Sequence, residues 1–158
     1  MATVYVETSI VSYLTARPSR NIVLSAHQAI TRDWWRHRST YQLRVSQLVL
    51  DEAGGGNPAM VARRLSALAA IPVLDVTVEA SSVATALVAR GALPRKAIVD
   101  AFHIGIAAVH GMDYLLTWNC RHLANAAMRG TIEAVCRSAG LVPPVICTPE
   151  ELPARRPS

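Results

Sequence analysis

The chain has 158 residues, of which 51% are hydrophobic, and it carries a formal net charge of +5. This length and composition suit one domain with a substantial core, and they exclude a chain that is disordered throughout. Apolar runs stay shorter than the roughly 18 residues that a transmembrane helix needs, and no secretory signal pattern opens the sequence. We therefore expect a cytoplasmic protein with no membrane partner, one domain over residues 1–150 and a frayed tail over residues 151–158.

The cysteines and the positive charge narrow the classes of ligand. Cys120, Cys136 and Cys147 are odd in number and form no CxxC pair, so neither a disulfide framework nor a structural zinc site is expected. The positive charge favours a polyanionic partner such as nucleic acid. Only Lys96 among the 16 basic residues is a lysine, and a genome-wide codon bias explains that count more simply than selection for phosphate binding.

Strand and helix patterns alternate along the chain. Short apolar and β-branched runs predict strands at residues 3–6, 41–46, 71–76, 114–118 and within 143–149. Apolar residues at helical spacing predict helices, three of which have caps at Asn21, Asn57 and Thr77, and the helices lie at residues 9–15, 22–38, 47–53, 59–70, 78–90, 97–109, 120–128 and 131–139. This alternation predicts an α/β fold with a parallel sheet covered on both faces.

Two of the predicted strands end on polar residues. Glu7 directly follows the first strand, and Thr117 and Asn119 lie at the carboxyl end of the strand in "YLLTW". Binding sites in open parallel sheets form at the carboxyl ends of the strands. Taken alone, Asn119 is equally well explained as the cap of the helix that follows.

Two further acids lie on predicted helices that are mostly apolar. Asp100 is near the start of the helix over residues 97–109, which should be largely buried. A buried acid needs a partner, a cap or a metal, although the positive end of the helix dipole would also suit it. Glu52 closes a short helix, where the simplest reading is a solvated acid. His103 shares a face with Asp100, and a packing role fits it better than a ligand role.

The four polar residues together predict a divalent metal site. Hard divalent cations bind through clustered carboxylate and amide oxygens, and three acids in one place repel one another without a cation. Magnesium or manganese held there would lower the pKa of a bound water and stabilise the leaving oxygen of a phosphodiester. The expected ligands, which are also the expected catalytic residues, are Glu7, Glu52, Asp100 and Asn119.

Three segments of the chain resemble the PIN-domain family: "VYVETSIVSYL", "VSQLVLDE" and "AIVDAFHIGIAAVHGMDYLLTWNCRHLAN". They are similar to the VapC-type toxins of bacterial toxin–antitoxin pairs, and the resemblance covers roughly residues 4–150. It implies a three-layer α/β/α sandwich, a Mg²⁺- or Mn²⁺-dependent ribonuclease, a cognate antitoxin and a homodimer. It places the four family site positions at Glu7, Glu52, Asp100 and Asn119, with the supporting Ser or Thr at Thr117.

Two positions depart from the family pattern, in which both are usually Asp. Glu7 is one methylene longer, which a flexible carboxylate tolerates, whereas Asn119 keeps an oxygen ligand but loses a charge, so a second ion would bind less well. Two functions therefore stay open: an endoribonuclease toxin that hydrolyses RNA with a metal-activated water, and a non-catalytic RNA- or protein-binding module on the same scaffold. A phosphotransfer domain is disfavoured, because the first strand ends in Glu and no lysine follows a late strand.

Overall fold

Five parallel strands form the centre of the protein in the computed structural model, which describes residues 1–154. They lie in the order β3-β2-β1-β4-β5, and each neighbouring pair is parallel. The central strand is buried from Val4 to Val6, as expected for a strand covered on both faces. The strands are β1 (Thr3–Val6), β2 (Gln42–Ser46), β3 (Val73–Leu74), β4 (Tyr114–Leu116) and β5 (Val145–Cys147).

Seven α-helices within residues 1–154 cover the two faces of the sheet. They are α1 (Thr8–Thr15), α2 (Ile22–Arg36), α3 (Gln47–Ala53), α4 (Pro58–Leu68), α5 (Val78–Ala89), α6 (Ile98–Val109) and α7 (Ala126–Ser138). Parallel crossovers are right-handed, so the connections running from β1 toward β3 and those returning toward β5 cover opposite faces. Accordingly, α1 contacts α2, α3 and α4, whereas α5 packs against α6 and α7. The α/β fold with three layers is confirmed.

A helix must be both long and apolar to cross a membrane. Among residues 1–154, none of the helices combines the length and the apolar composition that crossing a bilayer requires. The longest described helix, α2, has 15 residues, against the roughly 20 that span a hydrocarbon core.

Side-chain caps fix where several helices begin. Asn21, Asn57 and Thr77 each accept a backbone N–H from the first turn of the following helix, as the sequence predicts. The two helices expected over residues 120–128 and 131–139, however, are wrong in their bounds, because the single helix α7 (Ala126–Ser138) takes the place of both. Residues 120–124 form turns, and α7 begins behind Asn125, whose side chain accepts the N–H of Ala127. A local cap of this kind competes with continuation of an earlier helix.

Residues 151–154 are packed onto the domain, whereas the sequence predicts a frayed tail from Glu151. Leu152 and Ala154 are buried, and the indole N–H of Trp34 donates to the carbonyl of Leu152 at 2.7 Å. The composition of "ELPA" gave no sign of this anchoring, because the bonds are accepted by backbone carbonyls. Residues 155–158 lie outside the described part of the chain.

Helices α5 and α6 approach each other closely at Gly105. A Cβ placed on Gly105 would lie 2.5 Å from the carbonyl oxygen of Ala80, which is shorter than a van der Waals contact. The missing side chain therefore lets α6 lie directly against α5. This matters for the rest of the molecule because α6 also carries Asp100 and His103.

Replacing Gly105 with alanine should lower the free energy of unfolding by about 1–3 kcal/mol, since overpacking pushes the helices apart. This loss exceeds the gain of about 1 kcal/mol in helix propensity. Gly130→Ala is the matched control in α7, because a Cβ there meets nothing within 4 Å, and it should raise stability by about 0.5–1 kcal/mol. Urea denaturation measures both variants. Equal stability of the two would contradict the close contact at Gly105.

Candidate functional site

The register of the sheet brings the first predicted site residues together. Val6 of β1 pairs with Leu116 of β4, so the next residues, Glu7 and Thr117, emerge side by side at the carboxyl edge. The Thr117 hydroxyl donates a short hydrogen bond to Oε1 of Glu7. This is the edge at which open parallel sheets form sites.

Glu7 serves two purposes at this edge, as the cap of α1 and as a buried acid. Its side chain is 6% exposed. Oε2 accepts the backbone N–H of Ser9 at 2.9 Å, and Oε1 accepts the Ser9 hydroxyl at 2.6 Å in addition to Thr117. Three donors and the positive end of α1 stabilise a carboxylate that burial alone would penalise. The first strand therefore ends on an acid because that acid also begins the next helix.

Glu52, in the last turn of α3, is oriented by two partners. Its Oε1 accepts the Thr8 hydroxyl at 2.7 Å and the Nε2–H of His103 at 2.6 Å. Burial by itself raises the pKa of the Glu52 carboxyl, but the hydrogen bond and the charge of His103, helped by Thr8, outweigh it and lower that pKa below its usual value. Glu52 is therefore ionised at neutral pH. Its other oxygen, Oε2, makes no hydrogen bond within residues 1–154.

A buried line of side chains holds His103 in place. The Tyr5 hydroxyl lies 2.7 Å from Nδ1 of His103 and 2.8 Å from the hydroxyl of Ser46, and all three residues are at most 1% exposed. Burial raises the pKa of the Tyr5 phenol far above its usual value; Ser46 partly offsets this, and the charges of Glu7 and Glu52 raise it further. The phenol therefore keeps its proton, and the line from the sheet to Glu52 stays hydrogen-bonded.

Asp100 and Asn119 are joined through His122. Nδ1 of His122 lies 3.2 Å from Oδ2 of Asp100, and the backbone N–H of His122 donates to Oδ1 of Asn119 at 3.0 Å. Asn119 in turn donates its own N–H to the Thr117 hydroxyl at 2.9 Å, which is bonded to Glu7. Asp100 Oδ1 makes no hydrogen bond within the described residues. The five predicted site residues thus belong to two connected groups at one edge of the sheet.

The spacing of ligand atoms singles out a smaller set. One atom from each of Glu7, Glu52 and His103 can be chosen so that all lie within 4.8 Å of one another. Opposite ligands of a magnesium ion lie about 4.2 Å apart, so a small adjustment would fit both carboxylates to one ion. His103 Nε2 already donates to Glu52, and carboxylates that bind a metal are commonly hydrogen-bonded in this way, whereas hard cations themselves prefer oxygen. The donor chemistry fits Mg²⁺ or Mn²⁺ at Glu7 and Glu52.

Asp100 and Asn119 are positioned differently from these two acids. Asp100 does not belong to the group of ligand atoms within 4.8 Å, and the amide oxygen of Asn119 already accepts the N–H of His122. That bond, with the Asn119 carbonyl accepting the N–H of Leu123 and Ala124, makes Asn119 the cap of a turn. The contacts of Asn119 are therefore those of a capping residue, which is the second of the two roles that the sequence left open.

Sequence reasoning missed most of the residues that support the acids. His103 is buried, as its packing role predicts, yet it also contacts Glu52. Its one signal in the sequence was its place three residues after Asp100 on an apolar helix. His122 gave no signal, because its partner Asp100 lies on a different element. Thr8 and Ser9 could have been found as the small polar pair that follows Glu7.

No protein-family model matches the sequence of this chain, and no curated protein sequence matches it either. The family resemblance stays a prediction from the motifs, and the function is inferred from the residues of the site.

The lowered pKa of Glu52 gives the stability of the protein a defined pH dependence. In an unfolded chain a Glu carboxyl titrates near about 4.3, and the folded value lies below this. The stabilisation by Glu52 should therefore be complete above the unfolded pKa and be lost as the pH falls through the folded pKa. The Glu52→Gln variant should lack this component.

Urea denaturation between pH 3 and pH 7, in EDTA, measures this effect. Asp51→Asn removes the same charge from the neighbouring, exposed carboxylate, and it should keep the wild-type slope across this range. If Glu52→Gln lost stability on acidification as steeply as the wild type, the contact with His103 would not stabilise the carboxylate.

Proposed function

We propose that the protein is a Mg²⁺- or Mn²⁺-dependent endoribonuclease. The observation that carries the proposal is the convergence of Glu7 and Glu52 at the carboxyl edge of the sheet, within 4.8 Å of each other and of His103. Asp100 joins the same edge through His122. Carboxylates gathered in this way are the ligands of hard divalent cations, and such cations support phosphodiester hydrolysis.

Each residue of the proposed site has its own role in hydrolysis. Glu7 and Glu52 would hold the ion, which lowers the pKa of a water and offsets charge on the phosphate when bound. His103 fixes the direction of the Glu52 carboxylate, and Thr117 that of Glu7. Asp100 Oδ1, with no hydrogen bond within residues 1–154, is placed to accept a proton or a ligand contact. In hydrolysis the water oxygen bonds to phosphorus, the bond to the leaving oxygen breaks, and that oxygen takes up a proton.

The choice of RNA as substrate rests on charge and on the family resemblance. The net charge of +5 favours a polyanion, and the exposed Arg121 lies in the turn between Asn119 and His122, where its guanidinium can reach a phosphate near the acids. A single-stranded substrate suits a site at an open sheet edge, because the scissile phosphate must approach Glu7 and Glu52 directly.

The resemblance to VapC-type PIN domains suggests a cellular role for the proposed ribonuclease. The protein would act as a cytoplasmic toxin, restrained by a cognate antitoxin protein and assembled as a homodimer. A run of exposed apolar residues at the start of α2 supports a protein interface, since Ile22 is 86%, Val23 61% and Leu24 40% exposed and adjoining exposed apolar residues mark interaction surfaces.

One observation favours the alternative function, a non-catalytic RNA- or protein-binding module. Asn119 contributes no charge, and its amide oxygen is engaged by the His122 N–H, so the fourth family position does not strengthen a metal site. Such a protein would bind RNA without cleaving it in the presence of either cation. Cleavage is therefore the measurement that separates the two functions.

Cleavage of total cellular RNA, with the new ends mapped by sequencing, tests the proposal. The wild type should cleave with Mg²⁺ or Mn²⁺ and stop with EDTA. Glu7→Gln and Asp100→Asn should each lower the rate by about 100-fold or more, the usual cost of removing a group that stabilises charge in the transition state.

Asp75→Asn provides the matched control for these variants. It removes the same charge from an exposed carboxylate outside the hydrogen-bonded groups, and it should cleave at the wild-type rate. Metal-independent cleavage, or equal rates for all three variants, would contradict the proposed site. RNA binding by a wild type that never cleaves would favour the binding module.

A further inference from the structure

A basic cleft lies at the amino edge of the sheet, away from the acids. Its volume is about 600 Å³, and its lining includes three arginines together with Gln42 of β2 and Ile71. Among the lining residues, none is acidic. The three arginines come from different places: Arg36 ends α2, Arg38 lies in the turn before β2, and Arg44 lies within β2.

The three guanidinium groups have few partners within the protein. Each makes one hydrogen bond to a backbone carbonyl: Arg36 to Arg32, Arg38 to Trp35 and Arg44 to Leu43. Since a guanidinium has five N–H donors, most donors are left for a ligand. Within residues 1–154 the ion pairs all involve histidine, and none of them includes Arg36, Arg38 or Arg44.

An aromatic ring holds one of the three guanidinium groups in place. The Arg38 guanidinium lies over the Trp35 ring, 4.8 Å from its centroid, which holds it in one orientation. Apolar residues such as Leu43 and Ile71 also line the cleft. Three positive charges that line one cleft repel one another, and an anion bound between them would relieve that repulsion. Arginine forks match the oxygens of a phosphate bidentately.

A polynucleotide bound at the acids could also reach the cleft. Gln42 lines the cleft, and Ser46, four residues later in β2, bonds to Tyr5 behind the acids. Four residue steps of a strand span about 13 Å. A short stretch of polynucleotide could therefore touch both edges of the sheet.

We propose that this cleft is a second binding site, which takes phosphate groups of single-stranded RNA through Arg36, Arg38 and Arg44. It differs from the acidic site in place and in chemistry, and it holds whether or not the acids cleave the strand. The proposal goes beyond the endoribonuclease function, because the binding module would use the same cleft.

Binding of a fluorescently labelled single-stranded RNA, followed by anisotropy in EDTA, tests this site without cleavage. The variant Arg36→Gln/Arg38→Gln/Arg44→Gln should bind about tenfold or more weakly at low salt. Its dependence of log K on log salt should be shallower by about 2, since each lost phosphate contact contributes about 0.7 for a single strand. Arg38→Gln alone, which alters one exposed side chain, should show a smaller loss in the same direction.

The matched control, Arg63→Gln/Arg90→Gln/Arg137→Gln, also removes three exposed positive charges, from α4 and from the ends of α5 and α7. It should keep most of the wild-type affinity and salt slope. Equal weakening by the two triple variants would mean that only net charge matters, and would overturn the proposal. Wild-type binding by Arg38→Gln together with wild-type binding by the cleft triple variant would also overturn it.

Discussion

The contact between His103 and Glu52 is the interaction on which the site depends. It joins α6 to α3, which belong to the helix groups on opposite faces of the sheet. The other ring nitrogen of His103 is hydrogen-bonded to the hydroxyl of Tyr5 in the central strand, and that hydroxyl is also hydrogen-bonded to Ser46. His103, Tyr5 and Ser46 are all buried, so their positions are set by packing of the core. The direction of the Glu52 carboxylate is therefore determined by the fold itself.

The same constraint explains why the acids can lie near one another. Glu7 is held by three hydrogen-bond donors and Glu52 by two, which stabilises each charge individually. The remaining repulsion between carboxylates favours a cation between them. Oε2 of Glu52 and Oδ1 of Asp100 make no hydrogen bond within residues 1–154, so ligand capacity is left. In the proposed function, a cation held by the acids and the arginines of the cleft at the opposite edge would both attract an anionic polymer.

Much of this could be predicted from the sequence, because the signals were local. The fold class was predicted from patterns among residues that are adjacent in the chain: caps such as Asn57, strand periodicity and the end of β1 at Glu7. The start of α7 was misplaced, because Asn125 competes with a helix pattern of similar strength. The pairing of His103 with Glu52 joins residues 51 positions apart, and only the packing of two helices over the sheet edge brings them together. No periodicity or motif carries that information.

Titration of the metal-free protein with Mn²⁺, followed by calorimetry, tests the central claim most directly. The variants are Glu52→Gln and Asp51→Asn, which remove the same charge from adjacent positions on α3, where only Glu52 is bonded to His103. The wild type and Asp51→Asn should bind one ion with similar affinity, and Glu52→Gln should bind about tenfold or more weakly, since it loses a carboxylate ligand. Equal affinity of the two variants, or no binding by the wild type, would contradict a metal centre built on Glu7 and Glu52.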